Sequence, residues 1–398
     1  MMPDSTNRRV FLKTTALATA AAFARPSVAG KDAVQAPRII AGPYLQNATP
    51  DAVTVMWITD KPCLSWVDYG PTPELGSRLQ DSRDGLLDAQ EVIHRIRLTG
   101  LTPGQPCHYR AVSQEIVLFN PYNVEFGYRV EGDVTQFTPP RPDADRVSFV
   151  TVNDVHNRRD TWKELHALAA REPFDFLVAN GDLLSHAQDH NQVTKLFIEP
   201  ATEPLNGARP LVFVRGNHEA RGQHARHLLD YVDTPKGNYY YSFTWGPVHF
   251  LVLDGGEDKP DDNKEYFGLV NFEPYLRKQA EWVAEQVKTD AFKQAAFRVV
   301  FCHIPLNATL GGLDYRNPII DALNGAGVDL TISGHTHRPA YLEPEGGRDY
   351  PILIGGSHEP EKATLICVEA GRDSMYARMI RTDGKLLVER TYAARKAE

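Results

Sequence analysis

The first third of the chain alternates apolar and polar positions over short segments. Four of these segments are rich in β-branched and aromatic residues: AVTVMWIT, SWVDYG, VIHRIRLTG and CHYRAVS. Turn signals such as DKP, GPTP and TPGQ separate them. Short strands at this spacing are typical of a β-sandwich. The pattern therefore predicts an all-β domain over residues 37–137, followed by a proline-rich polar linker over residues 138–146.

After residue 146, apolar runs alternate with amphipathic stretches. The apolar runs predict strands at VSFVTVND, FDFLVANGD, PLVFVRGNHE, VHFLVLDGG, FRVVFCHIP and VDLTISGHTH. Helices are predicted at DTWKELHALAA and QAEWVAEQVK, and more strands follow residue 351. Strands that alternate with helices favour an α/β core with helices flanking the sheets. We expect residues 147–398 to form this second domain.

Composition and charge narrow the classes of function. Of the 398 residues, 42% are hydrophobic and 24% are charged, as in soluble globular proteins. The formal net charge of −8 argues against stable nucleic-acid binding, although a local cluster of cations could still bind a small anion. The four cysteines form no CxxC pair, so thiolate zinc sites and redox motifs are not expected. Cys63 and Cys107 are expected to be two buried thiols and not a disulfide.

The N-terminus has the pattern of an export signal. NRRVFLK, residues 7–13, carries a twin-arginine pair, and the apolar stretch TTALATAAAFA and the small residues of SVAG follow it. This order predicts a twin-arginine signal peptide over residues 1–29, used by the Tat export machinery. The apolar stretch is too short to span a bilayer, and no later run approaches ~20 apolar residues. We therefore expect a periplasmic or extracellular protein without a transmembrane segment.

Five strands of the second domain end in side chains that commonly bind metals. In α/β sheets, ligands bind at the carboxyl ends of the strands, so these side chains should meet at one rim. In TISGHTHRPA, His335 and His337 are two residues apart, and an extended backbone would point both to that rim with Thr336 turned away. The side chains at the five strand ends are Asp154, His156, Asp182, Asn217, His218, Glu219, His303, His335 and His337.

The series of motifs D-x-H, G-D, G-N-H-E, a lone histidine after a strand, and G-H-x-H resembles that of the calcineurin-like metallophosphoesterases. The resemblance covers roughly residues 145–398. The segments GPYLQNATPDAVTVMWIT and VDYG are similar to the fibronectin-like domain that precedes the catalytic domain in purple acid phosphatases and their bacterial relatives. The implied fold is an α/β (α+β) sandwich of β-sheets flanked by helices, preceded by an all-β fibronectin III-like sandwich.

The resemblance also implies a pair of metal ions, spaced about 3.5–4 Å apart. Imidazole and carboxylate ligands suit iron, manganese or zinc, and the identity of the metals stays open. Asp182 would bridge the ions, because a carboxylate has two oxygens. The first ion would be bound by Asp154, His156, Asp182 and His337. The second would be bound by Asp182, Asn217, His303 and His335.

The implied activity is hydrolysis of phosphate esters by attack of a metal-bound water or hydroxide. His218 is the candidate general acid or a hydrogen-bond donor to the transition state, or else a histidine that only supports the ligands, and Glu219 is expected to orient the site. Arg158 and His358 are weaker candidates for substrate contacts, because the first could be a solvated helix residue and the second part of a plain turn. Monoester, diester, nucleotide and pyrophosphate substrates all remain open.

Two other functions compete with a phosphatase. One is a phosphodiesterase or nucleotidase of the same superfamily. The other is a non-catalytic protein that binds a surface through its first domain. A degraded site would have lost ligands first, and all seven candidate ligands are present together with His218.

The chain departs from the purple acid phosphatases at two positions. Their coloured site uses a tyrosine three residues after the G-D aspartate, where this chain has Ser185. They also lack the histidine of D-x-H, which is present here as His156. A tyrosinate–iron chromophore is therefore not expected, and we predict a colourless or weakly coloured protein.

Overall fold

The structure is a computed structural model that describes residues 35–307 and 314–395. The signal peptide predicted over residues 1–29 lies outside the described residues. Within the described part, no helix combines the length and the apolar character that a membrane span requires. Residues from Ala36 onward cluster as one unit, which contains three large sheets.

Nine strands build the first, all-β part. Seven of them join one sheet in the order β1-β2-β7-β8, with β3 and β6 paired to β2 and with β9 paired to β7, while β4 and β5 pair with each other. The strands are β1 (Ile39–Thr49), β2 (Ala52–Gly70), β3 (Ser77–Leu79), β4 (Ser82–Arg83), β5 (Leu86–Leu87), β6 (Glu91–Thr99), β7 (Cys107–Asn120), β8 (Asn123–Glu131) and β9 (Thr135–Phe137).

The turn predicted at DKP is an irregular stretch inside β2 and does not end the strand. The first half of β2 pairs with β1 and β6, and the second half pairs with β3 and β7, with a shift of register between Ile58 and Cys63. Val55 and Trp57 from the first half share one apolar core with Val67 from the second half and with Tyr109 of β7. The bent sheet therefore packs its two halves face to face, as a sandwich does.

Two six-stranded sheets build the second part. Their orders are β12-β11-β10-β19-β20-β21 and β13-β14-β15-β16-β18-β17, and the pairs from β10 to β12 and from β14 to β16 are parallel. The strands are β10 (Val147–Val152), β11 (Phe176–Asn180), β12 (Leu211–Val214), β13 (Tyr241–Trp245), β14 (Val248–Leu253), β15 (Phe297–Cys302), β16 (Leu330–Ser333), β17 (Ala340–Leu342), β18 (Ile352–Ile354), β19 (Thr364–Ala370), β20 (Ser374–Arg381) and β21 (Leu386–Ala393).

Among the described residues, six α-helices accompany these sheets, together with short 3₁₀ turns and one π turn. The predicted segment DTWKELHALAA lies in α1, and QAEWVAEQVK begins inside α4. The helices are α1 (Arg159–Ala169), α2 (His190–Val193), α3 (Glu199–Thr202), α4 (Phe272–Gln286), α5 (Asp290–Gln294) and α6 (Asn317–Leu323).

The two sheets face each other across an aromatic layer. Phe149 of β10 stacks on Phe176 of β11 at 5.3 Å and meets Phe250 and Phe301 of the opposite sheet edge to face at 5.4 and 5.5 Å. Full burial of each such ring stabilises the fold by about 1.5–3 kcal/mol. The alternate residue Val150 points outward, because successive side chains of a strand face opposite sides.

Helices cover the outer faces of both sheets. Trp162 and Leu165 of α1 pack with Val150 on the first sheet, and Leu276 of α4 packs with Val300 on the second. The order of layers is therefore helix, sheet, sheet, helix. The carboxyl ends of the central parallel strands open toward the segments that carry the predicted ligands.

The all-β part is attached to the second part through residues 205–233. The Tyr44 hydroxyl donates to the Tyr231 carbonyl at 2.7 Å, and the Tyr109 hydroxyl donates to the Gly207 carbonyl at 2.6 Å. The Thr54 hydroxyl donates to the Asp233 carboxylate at 2.7 Å. All four cysteines are buried free thiols, so the expectation for Cys63 and Cys107 is met.

Candidate metal centre

The first ligand group forms around the turn after β10. Asp154 is fully buried, and its Oδ1 lies 3.3 Å from Nε2 of His337. Nε2 of His156 lies 3.1 Å from the same nitrogen of His337. The Asp154 carboxylate also accepts the backbone N–H of His335 at 3.0 Å. Asp154, His156 and His337 thus direct their ligand atoms to one place.

The second ligand group combines the ends of β12, β15 and β16. Nδ1 of His335 lies 3.1 Å from the side-chain oxygen of Asn217. Nε2 of His303 lies 3.0 Å from Oδ2 of Asp182, and these two side chains cluster with His335. The structure therefore gathers Asp182, Asn217, His303 and His335 in the same combination that the sequence predicts for the second ion.

Asp182, after β11, lies between the two groups. Its Oδ2 is 3.0 Å from Nε2 of His303 and 3.7 Å from Nε2 of His156. Because His303 belongs to one group and His156 to the other, this single carboxylate is shared by both. Metal binding by these residues stays a prediction.

The donor set fits a metal ion. Nδ1 of His303 lies 2.8 Å from the Asn180 carbonyl, which can only accept, so this nitrogen carries a proton and leaves Nε2 to face the site. Nε2 is fully buried without a well-aligned hydrogen bond, although Asp182 is close. Buried polar atoms nearly always have a bonding partner, and a cation between these groups would be the partner that Nε2 of His303 lacks.

Two histidines of the site have pKa values shifted in opposite directions when no metal is bound. Burial is the largest single influence on the pKa of His303 and lowers it, but the contacts with Asp182, the charge of Asp154 and the Asn180 carbonyl together raise this pKa to about 10. For His156 burial dominates and lowers the pKa to about 4. A proton on His303 would therefore compete with a metal ion for the same nitrogen.

Five of the seven predicted ligands have a left-handed backbone. Their φ angles are 56° at Asp154, 48° at His156, 52° at Asp182, 71° at His335 and 55° at His337. Such conformations cost about 1–3 kcal/mol each in non-glycine residues and cluster at functional sites. The strained turns lie directly after the strands, where they aim the side chains at the site.

The extended backbone predicted for GHTH is wrong. β16 ends at Ser333, and His335 and His337 both lie in a turn with positive φ. Both side chains still reach the site. Their direction is set by the turn and not by the alternation of side chains along a strand. Gly334 permits this approach: a Cβ atom there would lie 2.4 Å from the Asn153 side chain and 2.5 Å from that of Asp154.

Glu219 fixes the turn that carries Asp182. It is fully buried and accepts the backbone N–H groups of Asp182 at 2.7 Å, Leu183 at 2.8 Å, Leu184 at 3.0 Å and Gly216 at 2.9 Å. Burial raises the pKa of Glu219, the charge of Asp182 raises it further, and the N–H donors oppose both. The contacts agree with the orienting role expected for this residue.

His218 borders the shared carboxylate. Its Nδ1 lies 2.8 Å from the Ser185 carbonyl and therefore donates, while its Nε2 lies 4.0 Å from Oδ2 of Asp182. The backbone N–H of His218 donates to Oδ1 of Asp182 at 2.9 Å. Nε2 is thus the unprotonated nitrogen of the neutral His218 ring, and it is the nitrogen nearer to the shared carboxylate.

Sequence reasoning missed Arg221. Its Nη1 lies 2.9 Å from Nε2 of His218, and its Nε and Nη2 bond the two carboxylate oxygens of Glu257 at 2.9 Å each. Asp258 holds the same guanidinium at 3.2 Å. The available signal was VHFLVLDGGED, another strand that ends at this rim and is followed by acidic residues.

The two predicted substrate contacts differ in their placement. Nδ1 of His358 lies 3.2 Å from Nδ1 of His337, so His358 joins the site. Arg158 precedes α1, and its guanidinium bonds the Asp160 carboxylate at 2.7 Å while 46% of the side chain is exposed. The structure does not bring Arg158 to the ligands, because the nearer carboxylate at the start of the helix holds it.

Comparisons with known proteins agree with this site. Residues 147–339 match the family model described as calcineurin-like phosphoesterase. The chain is 28% identical over 270 residues to the serine/threonine-protein phosphatase CPPED1 of Pongo abelii and of Homo sapiens, covering 61% of this chain and 78% of each relative. It is 30% identical over 210 residues to CPPED1 of Bos taurus, covering 47% of this chain and 64% of the relative.

Two solved structures resemble the whole described chain. A purple acid phosphatase, PPD1 from yellow lupin, superposes with a TM-score of 0.62 at 15% identity, covering 90% of this chain and 74% of the other. PhoD superposes with a TM-score of 0.63 at 11% identity, covering 92% of both chains. At these identities the likeness shows the fold alone. Residues 147–339 therefore form a calcineurin-like phosphoesterase domain.

Proposed function

We propose that the chain is an exported hydrolase of phosphate esters that works with two metal ions. The position of Asp182 carries this proposal. Its Oδ2 lies within 3.0 Å of His303 in one ligand group and 3.7 Å of His156 in the other. One carboxylate between two sets of imidazoles is the arrangement that a pair of close cations requires.

The residues present divide into two ligand sets. Asp154, His156 and His337 would hold one ion, Asn217, His303 and His335 would hold the other, and Asp182 would bind both. When bound, such ions neutralise phosphate oxygens and lower the pKa of water. The donors are oxygen and imidazole nitrogen without thiolates, which favours iron, manganese or zinc.

The remaining residues would handle the substrate. His218 presents Nε2 beside the shared carboxylate, where, once the ring is protonated at that nitrogen, it can donate a proton to the leaving oxygen or hydrogen-bond a phosphate oxygen. Arg221 places a guanidinium against that nitrogen, and Glu257 keeps it from turning away. A guanidinium at this position can bind a phosphate oxygen with a charge-assisted hydrogen bond.

Phosphate monoesters are the substrates we propose. The relatives named serine/threonine-protein phosphatases support this class, and Arg221 supplies charge for a terminal phosphate. A phosphodiesterase or nucleotidase is the alternative within the family. Purified protein should hydrolyse p-nitrophenyl phosphate faster than bis-p-nitrophenyl phosphate, and the reverse order would favour the alternative.

Replacing Asp182 tests the shared ligand. Asp182→Asn should lower kcat by at least about 10²-fold, because the neutral amide cannot balance two cations. Asp143→Asn is the matched control, since Asp143 pairs with Arg141 on the surface with 66% of its side chain exposed. Wild-type activity in Asp182→Asn would refute the two-metal proposal and favour a non-catalytic role for the ligand cluster.

We also propose export by the twin-arginine route, on the basis of residues 7–13 and the apolar stretch behind them. The destination would be the periplasm or the medium. Replacing Arg8 and Arg9 by lysine should retain the protein in the cytoplasm when cells are fractionated. Unchanged export of that variant would contradict the proposed route.

A further inference from the structure

The hairpin formed by β7 and β8 exposes an unusual amount of apolar surface. Twelve large hydrophobic side chains are exposed among the described residues, and six of them lie within residues 117–128. Monomeric proteins rarely leave contiguous apolar surface uncovered without a function. The six are Val117, Phe119, Tyr122, Val124, Phe126 and Tyr128, with exposed fractions from 39% to 103%.

β8 is also the edge of its sheet. In the described chain it pairs with β7 alone, so no strand covers its other edge. Natural edge strands are commonly blunted by lysines, prolines or a covering segment, because open edges pair with other strands. Asn123–Glu131 contains neither lysine nor proline. The strand is therefore an open template for β-pairing.

The sequence of β8 complements itself. In NVEFGYRVE, reading outward from Gly127 in both directions gives Phe126 with Tyr128, Glu125 with Arg129, and Val124 with Val130. Two copies that pair antiparallel about Gly127 would place each of these residues opposite its counterpart. Aromatic, opposite-charge and β-branched pairs are the cross-strand pairs that stabilise sheets.

We infer that β8 pairs with β8 of a second copy of this chain, antiparallel about Gly127, and forms a two-fold symmetric dimer. A two-fold axis through the glycine repeats the Glu125–Arg129 pair twice. The Gly127 carbonyl accepts a hydrogen bond from the Gln114 side chain on the β7 side. This carbonyl therefore faces β7, and the register of β8 against β7 shifts here, between Arg129 and Phe126.

Charge favours a second copy over a lipid surface. Residues 115–131 contain three glutamates and one arginine, so an anionic membrane would repel the hairpin. Within one chain Arg129 pairs with Glu131 at 2.8 Å with half of its side chain exposed, which leaves it accessible to Glu125 of the second copy. The exposed apolar side chains and the alternating charges of β8 are thus both complementary to β8 of a second copy.

Sedimentation equilibrium of the full chain tests this interface. The wild type should show a concentration-dependent dimer, and Phe126→Glu with Tyr128→Glu should be monomeric. Glu125→Arg should weaken self-association by about tenfold, because it opposes two arginines at two symmetric positions. The double exchange Glu125→Arg with Arg129→Glu should restore it, since each arginine again faces a glutamate.

The control replaces an exposed leucine elsewhere. Leu86, 75% exposed in β5, is the site of Leu86→Glu, which should leave the dimer intact. Circular dichroism of each variant separates loss of pairing from loss of folding. A wild type that stays monomeric at all concentrations would overturn the inference. A double exchange that associates no better than Glu125→Arg alone would overturn the pairing about Gly127.

Discussion

At the scale of single residues, the site depends on side chains that hold other side chains. Glu219 fixes the Asp182 turn through three backbone N–H groups and accepts a fourth from Gly216, and Glu257 fixes Arg221 through two parallel bonds. Such supports keep strained ligands in place, which matters because small displacements at a reacting centre are costly. Arg221 contacts both Glu257, in the loop after β14, and His218, so substitutions of Arg221 test whether this contact matters for activity.

Arg221→Met should lower kcat/KM for p-nitrophenyl phosphate by about 10–100-fold, because a phosphate oxygen loses a charge-assisted donor. Arg221→Lys should recover only part of this, since lysine keeps the charge but cannot bond both oxygens of Glu257. Steady-state kinetics gives kcat and KM separately. The control is Arg277→Met, because Arg277 pairs with Glu273 on an exposed face of α4. Unchanged kcat/KM in Arg221→Met would exclude a substrate contact.

Residues that follow apolar strands were predictable, and long-range partners were not. Asp154, His303 and His337 could be found because parallel strands end at one rim. Arg221 was harder to find, since the acidic residues after β14 are the one sequence signal and its role depends on a contact with Glu257, 36 residues away. A substrate contact by Arg158 stays a prediction, and in the structure its guanidinium pairs with the local carboxylate of Asp160.

At the scale of elements, apolar runs predicted strands better than they predicted strand ends. The runs at β10, β11, β15 and β16 were predicted, because buried parallel strands are continuously apolar. The continuity of β2 was not, since DKP is typical of a turn and here forms an irregularity within the strand. The β7–β8 hairpin was missed because its apolar residues remain exposed.

β6 carries a histidine that links stability to pH. His94 is buried, its Nε2 lies 2.8 Å from the Thr59 hydroxyl, and burial lowers its pKa to about 3. The unfolded chain binds a proton below about pH 6.5 and the folded chain does not, so stability falls as pH decreases through that range. This group alone should remove about 2 kcal/mol of unfolding free energy between pH 7 and pH 5.

Urea unfolding at both pH values checks this effect. His94→Gln keeps a polar group near Thr59 but does not titrate, so its loss of stability between pH 7 and pH 5 should be smaller than that of the wild type by about 2 kcal/mol. Equal losses in the two proteins would show that His94 does not remain neutral in the folded state.

At the scale of the whole molecule, two layers of sheet bring ligands from both halves of the sandwich to one place. Asp154 and Asp182 come from the first sheet, and His303, His335 and His337 come from or follow the second. The site therefore exists only when both sheets pack across the aromatic layer. Metal binding should in turn stabilise this packing, since ions that bind only the folded chain favour it.

Metal content per chain tests the central claim most directly. Elemental analysis of purified wild-type protein should find two metal ions per chain. Asp182→Asn should retain at most one, because it removes the ligand that both ions share, while Asp143→Asn should retain two. A single ion in fully active wild type, or two ions retained in Asp182→Asn, would contradict the proposed dinuclear centre.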